Sequence, residues 1–148
     1  MKHVISREIV LALIGVIVGL LLVGVVSHTP IRHCVQVVPA VVALLLAIVR
    51  SPLARSASAP IFLFWFLIMS LIWLYLLGVA RIITGNFSPA EIAFTILIGL
   101  SCVLGLVASY RSRSSAVNWI ASLFVFAVFA ALQVLFLWLS LRPGISTQ

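Results

Sequence analysis

The chain has 148 residues, of which 65% are hydrophobic and only 7% charged, against about 25% charged in an ordinary soluble domain. A soluble core of this length cannot hide so much apolar surface, so lipid is the natural solvent. The formal net charge of +7 does not mark a nucleic-acid binder, because the nine basic residues stand singly or in pairs between apolar runs, as they do in loops facing anionic headgroups.

Five apolar runs predict an all-α integral membrane protein, a single bundle over 1–148 with spans at about 9–26, 33–49, 60–83, 89–110 and 116–141. A span needs about 17 to 25 apolar residues. The first run follows the basic stretch "MKHVISRE", as a signal peptide would. Its apolar length exceeds the usual h-region of about 7 to 15 residues, so it is expected to stay as a helix. The second run is the shortest and contains Gln36 and Pro39. Pro39 lacks a backbone donor and frees the carbonyl of Val35, which leaves a re-entrant segment open beside a full crossing. The third is dense in aromatics and is expected to start at Pro60; Phe62, Phe66 and Trp73 fall roughly along one face, with Trp65 and Tyr75 elsewhere.

The fourth span opens with "SPAE". Ser88 suits the N-cap and Pro89 the first helical position, where a missing N–H costs nothing. Ser-x-x-Glu is a capping box, and a carboxylate also suits the positive end of the helix dipole. Glu91 is one of only two acidic residues, which makes it the candidate ion-pair or functional group, with Arg81 across the preceding hairpin as its possible partner. The competing reading is proton or substrate transfer, since ionisable groups in spans often mark such paths.

Charge sets the orientation. With five spans, Lys2, Arg7, Arg50, Arg55, Arg111 and Arg113 share the N-terminal side, against Arg32, Arg81 and Arg142 on the other. The excess of basic residues on cytoplasmic loops then places the N-terminus inside and the C-terminus outside. Eight of the nine basic residues are Arg, a habit of GC-rich bacterial genomes, which suggests a bacterial inner membrane. The connections are too short for a soluble domain. No internal repeat is visible, and five spans do not divide into the two halves of an inverted-repeat transporter.

The remaining polar groups are sparse. "HTPIRHC" sets His28, His33 and Cys34 between the first two spans, a weak cluster with Glu91, but the histidine spacing matches no zinc motif. No histidine sits mid-span, which argues against a haem held between helices. Cys34 and Cys102 differ too much in depth for a disulfide. No metal ligands, cofactor site or catalytic residues are assigned. Gly15 and Gly19 with Ala12, then Ser101, Gly105 and Ser109, then Ala127 and Ala131, form three small-residue stripes of the kind that lets membrane helices approach. They are expected to pack mainly within the bundle, with a subunit interface as the alternative. Gln133 can bridge helices.

These features favour a non-catalytic accessory or assembly subunit of a membrane complex, with lipid, anionic headgroups and a membrane protein partner or a second copy as its contacts. The alternative is a small homo-oligomeric transporter, channel or lipid flippase. A membrane enzyme using His28, His33 and Glu91 ranks behind both.

Overall fold

The computed structural model describes residues 7–112 and 118–146. Lys2, His3, Arg113 and the expected start of the fifth span at 116 lie outside the described residues. The order is α1 (Arg7–Val26), α2 (Pro30–Ile48), α3 (Ala54–Leu76), α4 (Pro89–Arg111), α5 (Trp119–Ser140) and a single turn, α6 (Pro143–Ser146). The first five have 19 to 23 residues and are long and apolar enough to cross a membrane. At ~1.5 Å per residue they reach about 28 to 35 Å, which matches a hydrocarbon core of about 30 Å.

Two of these helices depart from the limits expected of them. α2 is one continuous helix from Pro30, with Pro39 inside it and buried. α3 begins at Ala54, so Pro60 sits inside the helix rather than at its start. Ala54, Ala57 and Ser58 are fully buried, so these early turns of α3 are held by packing of small residues despite the proline. The Ser58 hydroxyl also donates to the Arg55 carbonyl at 3.2 Å. At the other end α3 stops at Leu76, well short of residue 83. Gly78 takes φ 73°, while the N–H groups of Gly78 and Val79 donate back to Tyr75 and Leu74. That is a Schellman-type stop, for which glycine is the favoured residue.

The same stop ends α1 and α2 without glycine. His28 and Arg50 adopt φ 55° and 56°, with Thr29 N–H donating to Gly24 and Ser51 N–H to Leu46. Left-handed backbone is costly for residues with a Cβ, so these two turns store a little strain.

The helices form a closed ring in the order α1, α4, α3, α5, α2, with α2 also touching α3. α5 follows α4 in sequence but, among the described residues, does not touch it. The core seam is α1 on α4. α1 buries Ile9, Ala12, Leu13, Val16, Gly19, Leu20 and Gly24, spaced by three and four residues as one helix face requires. A methyl group on Gly15 would collide with Ser101, one on Gly19 with Ile98, and one on Gly105 with Phe62. Two small-residue stripes are thus consumed inside the bundle.

α5 behaves differently. It buries only Phe129, Gln133 and Ser140, and polar bonds hold it near both ends. The Ser56 and Ser122 hydroxyls lie 2.9 Å apart at the end carrying Arg7, Arg50, Arg55 and Arg111. At the opposite end, which carries turn 27–29 and loop 77–88, Gln36 Nε2 donates to Ser140 Oγ at 2.9 Å. We refer to these as the arginine-rich end and the hairpin end.

Candidate functional site: a polar cavity at the hairpin end

The hairpin end gathers its polar groups through local chain chemistry. After the turn at His28, the Ser27 hydroxyl donates to the Val23 carbonyl at 2.8 Å and lies 2.8 Å from the Thr29 hydroxyl. Pro30 then opens α2 and brings Arg32, His33 and Gln36 onto its first turns. His33 Nδ1 is 3.1 Å from the Thr29 carbonyl and 3.4 Å from the Thr29 hydroxyl. A bond to the carbonyl requires Nδ1 to carry a proton, which leaves Nε2 as the acceptor in the neutral ring. His33 lies against Gly24, where a methyl group would stand 2.8 Å from the His33 Cβ.

Opposite, the capping box at the start of α4 is complete. The Glu91 carboxylate accepts from Ser88 N–H and from the Ser88 hydroxyl, both at 2.7 Å, while Glu91 N–H donates to Ser88 Oγ at 3.3 Å. One turn on, the Thr95 hydroxyl donates to the Ile92 carbonyl at 2.7 Å. From α5, Ser140 donates to the Leu137 carbonyl at 2.6 Å, and Gln133 Nε2 reaches the Gln36 carbonyl at 3.4 Å.

Between these elements lies a cavity of about 490 Å³. Its polar lining is Ser27, Thr29, Arg32, His33, Gln36, Glu91 and Thr95, with Thr84 and Asn86 from loop 83–87, which closes one side; its apolar lining includes Leu20, Trp65, Ile68, Met69, Ile72 and Ile98. Trp65 is 3% exposed and meets Phe64 edge-on at 5.4 Å between centroids. Its indole N–H has no hydrogen-bond partner, nor does the Nε of Arg32 or the Oε1 of Gln133.

The candidate residues divide. Glu91 and His33 line the same cavity, whereas His28 is exposed and absent from its lining. Arg81 lines a separate surface hollow with Tyr75 and Leu76. The two spaces share segment 84–87 as a common wall. Among the described residues no ion pair joins Glu91 to Arg81: the carboxylate is bonded to Ser88, and Arg81 is exposed in the loop. Among the described residues, no three of His, Cys, Asp and Glu come together as a metal-binding group. Cys34 and Cys102 are both free, the first exposed and the second buried.

Arg32 and Trp65 were not singled out by sequence reasoning. In the sequence Arg32 counts only toward orientation, and Trp65 is one ring among many. What distinguishes them is an unpaired buried N–H, a property of the packed structure alone.

The fold and its cavity define an all-helical membrane protein with five candidate spans. No family model, curated protein or solved structure matches the chain.

Proposed function

We propose that the protein is a non-catalytic membrane component that assembles with another membrane protein through the outward face of α5. The observation that carries this reading is the contrast in burial among the five long helices. Only 11% of the apolar window of α5 is buried, against 33–44% for the other four. On its open side Ala127 and Ala131 are exposed at four-residue spacing, and Ala130, Ala131, Val134, Leu135 and Trp138 form a shallow apolar groove. In lipid, small residues at this spacing permit backbone approach, and the α1–α4 seam uses that geometry within the same bundle.

The excess of basic residues supports placing the arginine-rich end in the cytoplasm and the C-terminus outside, and the preference for Arg over Lys supports a bacterial inner membrane. There Arg7, Arg50, Arg55 and Arg111 would meet anionic headgroups.

The test is a mild-detergent purification of the tagged chain with the native mass of the eluate, for wild type and for Ala127→Leu/Ala131→Leu. A stoichiometric membrane partner, lost in the variant while the chain itself stays folded, supports the reading. A homo-oligomer alone favours the second reading, a small transporter, channel or lipid flippase. The observation in its favour is the polar cavity, and it predicts flux that Glu91→Gln abolishes.

A further inference from the structure

At the arginine-rich end, α1 and α2 hold two guanidinium groups over one apolar groove. We propose that this groove is a binding site for a single anionic phospholipid, with its phosphate between Arg7 and Arg50 and an acyl chain along Leu11 and Ile48. The groove has a volume of about 330 Å³ and is lined by Arg7, Val10, Leu11, Ala47, Ile48 and Arg50. The register of the two helices sets both arginines at one level: Arg7 opens α1, and Arg50 stands just beyond the end of its antiparallel neighbour α2. Arg7, Val10 and Leu11 fall on one face of α1, as residues three and four apart do. Ala47 is buried and floors the groove, while Leu11 and Ile48, 61% and 57% exposed, face the lipid.

Charge points to an anion, and the backbone at Arg50 agrees. The lining holds two cations and no carboxylate. Like charges side by side at a membrane boundary repel, and a phosphate between them turns that repulsion into attraction. Arginine offers the phosphate a planar fork of donors. Glu91 is at the opposite end of the bundle; Glu8, which follows Arg7, lies outside the lining and is engaged in an interaction of its own. Arg55 and Arg111 share this end but not the groove. Arg50 also ends α2 in a left-handed turn at φ 56°, with Ser51 N–H donating to the Leu46 carbonyl at 2.9 Å. Glycine would take that turn at less cost, so what arginine supplies at this position is its side chain and not its backbone. The inference rests on the headgroup contact proposed above, gives it a defined site, and is independent of the α5 face.

The experiment uses delipidated full-length protein in maltoside micelles, with dioleoylphosphatidylglycerol as the probe and native mass spectrometry as the readout. Dioleoylphosphatidylcholine, with the same chains and no net charge, is the control. One phosphatidylglycerol should bind in preference to phosphatidylcholine. Arg7→Gln and Arg50→Gln should each weaken it by about fivefold, the equivalent of about 1 kcal/mol per basic side chain at an anionic surface. Arg50→Lys should recover part of the loss, and Arg55→Gln and Arg111→Gln should bind as wild type does. Arg50→Gly should raise the thermal midpoint, because the left-handed turn is relieved, and still lose the lipid; an arginine with a merely structural role would not separate the two.

Equal binding of the two lipids overturns the proposal. So does full affinity in Arg7→Gln and Arg50→Gln, with the thermal midpoint of each variant confirming that it is folded. An equal loss in Arg55→Gln and Arg111→Gln overturns the groove as a site while leaving a general attraction of this end for headgroups in place. Inorganic phosphate at millimolar concentration should not displace the lipid, since it lacks the chain that lies along Leu11 and Ile48; displacement overturns the assignment to a lipid.

Discussion

α1 and α5 are both apolar along nearly their whole length, yet the bundle treats them in opposite ways. α1 presses Gly15 and Gly19 against α4 so closely that an added methyl group would strike Ser101 or Ile98. α5 leaves Ala127 and Ala131 facing outward and is tied in by serine and glutamine contacts near its ends. In lipid there is little hydrophobic gain in joining two helices, so close approach and hydrogen bonds decide which faces meet. Hydrophobicity alone therefore cannot rank the two helices, but small-residue contact can.

The strongest way to break this comparison is to enlarge a glycine in the seam. Gly15→Leu should cost about 3 kcal/mol, the upper range for overpacking, and should strip the folded fraction in a detergent unfolding series. The equivalent change on α5, Ala127→Leu, should leave stability within about 0.5 kcal/mol of wild type, as for other surface changes. If both variants unfold alike, α5 is packed in a way the exposure of Ala127 does not reveal.

Smaller effects sharpen the picture at the hairpin end. Ser88→Ala removes the N-cap hydroxyl that accepts from Glu91 N–H, and should cost about 1 kcal/mol. His28→Gly should stabilise by up to about 1 kcal/mol, because the left-handed turn at φ 55° is relieved; a raised thermal midpoint is the readout. Gln36→Leu removes the bond to Ser140 and should cost about 0.6 kcal/mol, typical of hydrogen bonds between membrane helices. The loss should be smaller when Ser140 is already Ala, which a double-mutant cycle measures.

Much of the fold is legible in the residues because membrane helices are written in long apolar runs. The limits of α1 and α4 follow from those runs and, for α4, from a capping box whose partners are three residues apart. α3 is harder to bound. Pro60 resembles a helix start, but the small buried residues Ala54, Ala57 and Ser58 carry the helix past it. The stops at His28 and Arg50 are hidden because neither residue type signals a left-handed turn. At the candidate site, the chain brings Glu91 and His33 together as their shared end of the bundle suggests, while leaving Arg81 on the far side of segment 84–87. That Arg32 and Trp65 keep unpaired N–H groups depends on how the five helices pack, and no local pattern encodes that.

The most direct test of the outward α5 face is native mass spectrometry of wild type and Ala127→Leu/Ala131→Leu, purified side by side with matched thermal midpoints. The expected result is a partner subunit on the wild type and its loss from the variant at unchanged stability. A partner retained by the variant, or a variant that no longer folds, would contradict the assignment of that face to assembly.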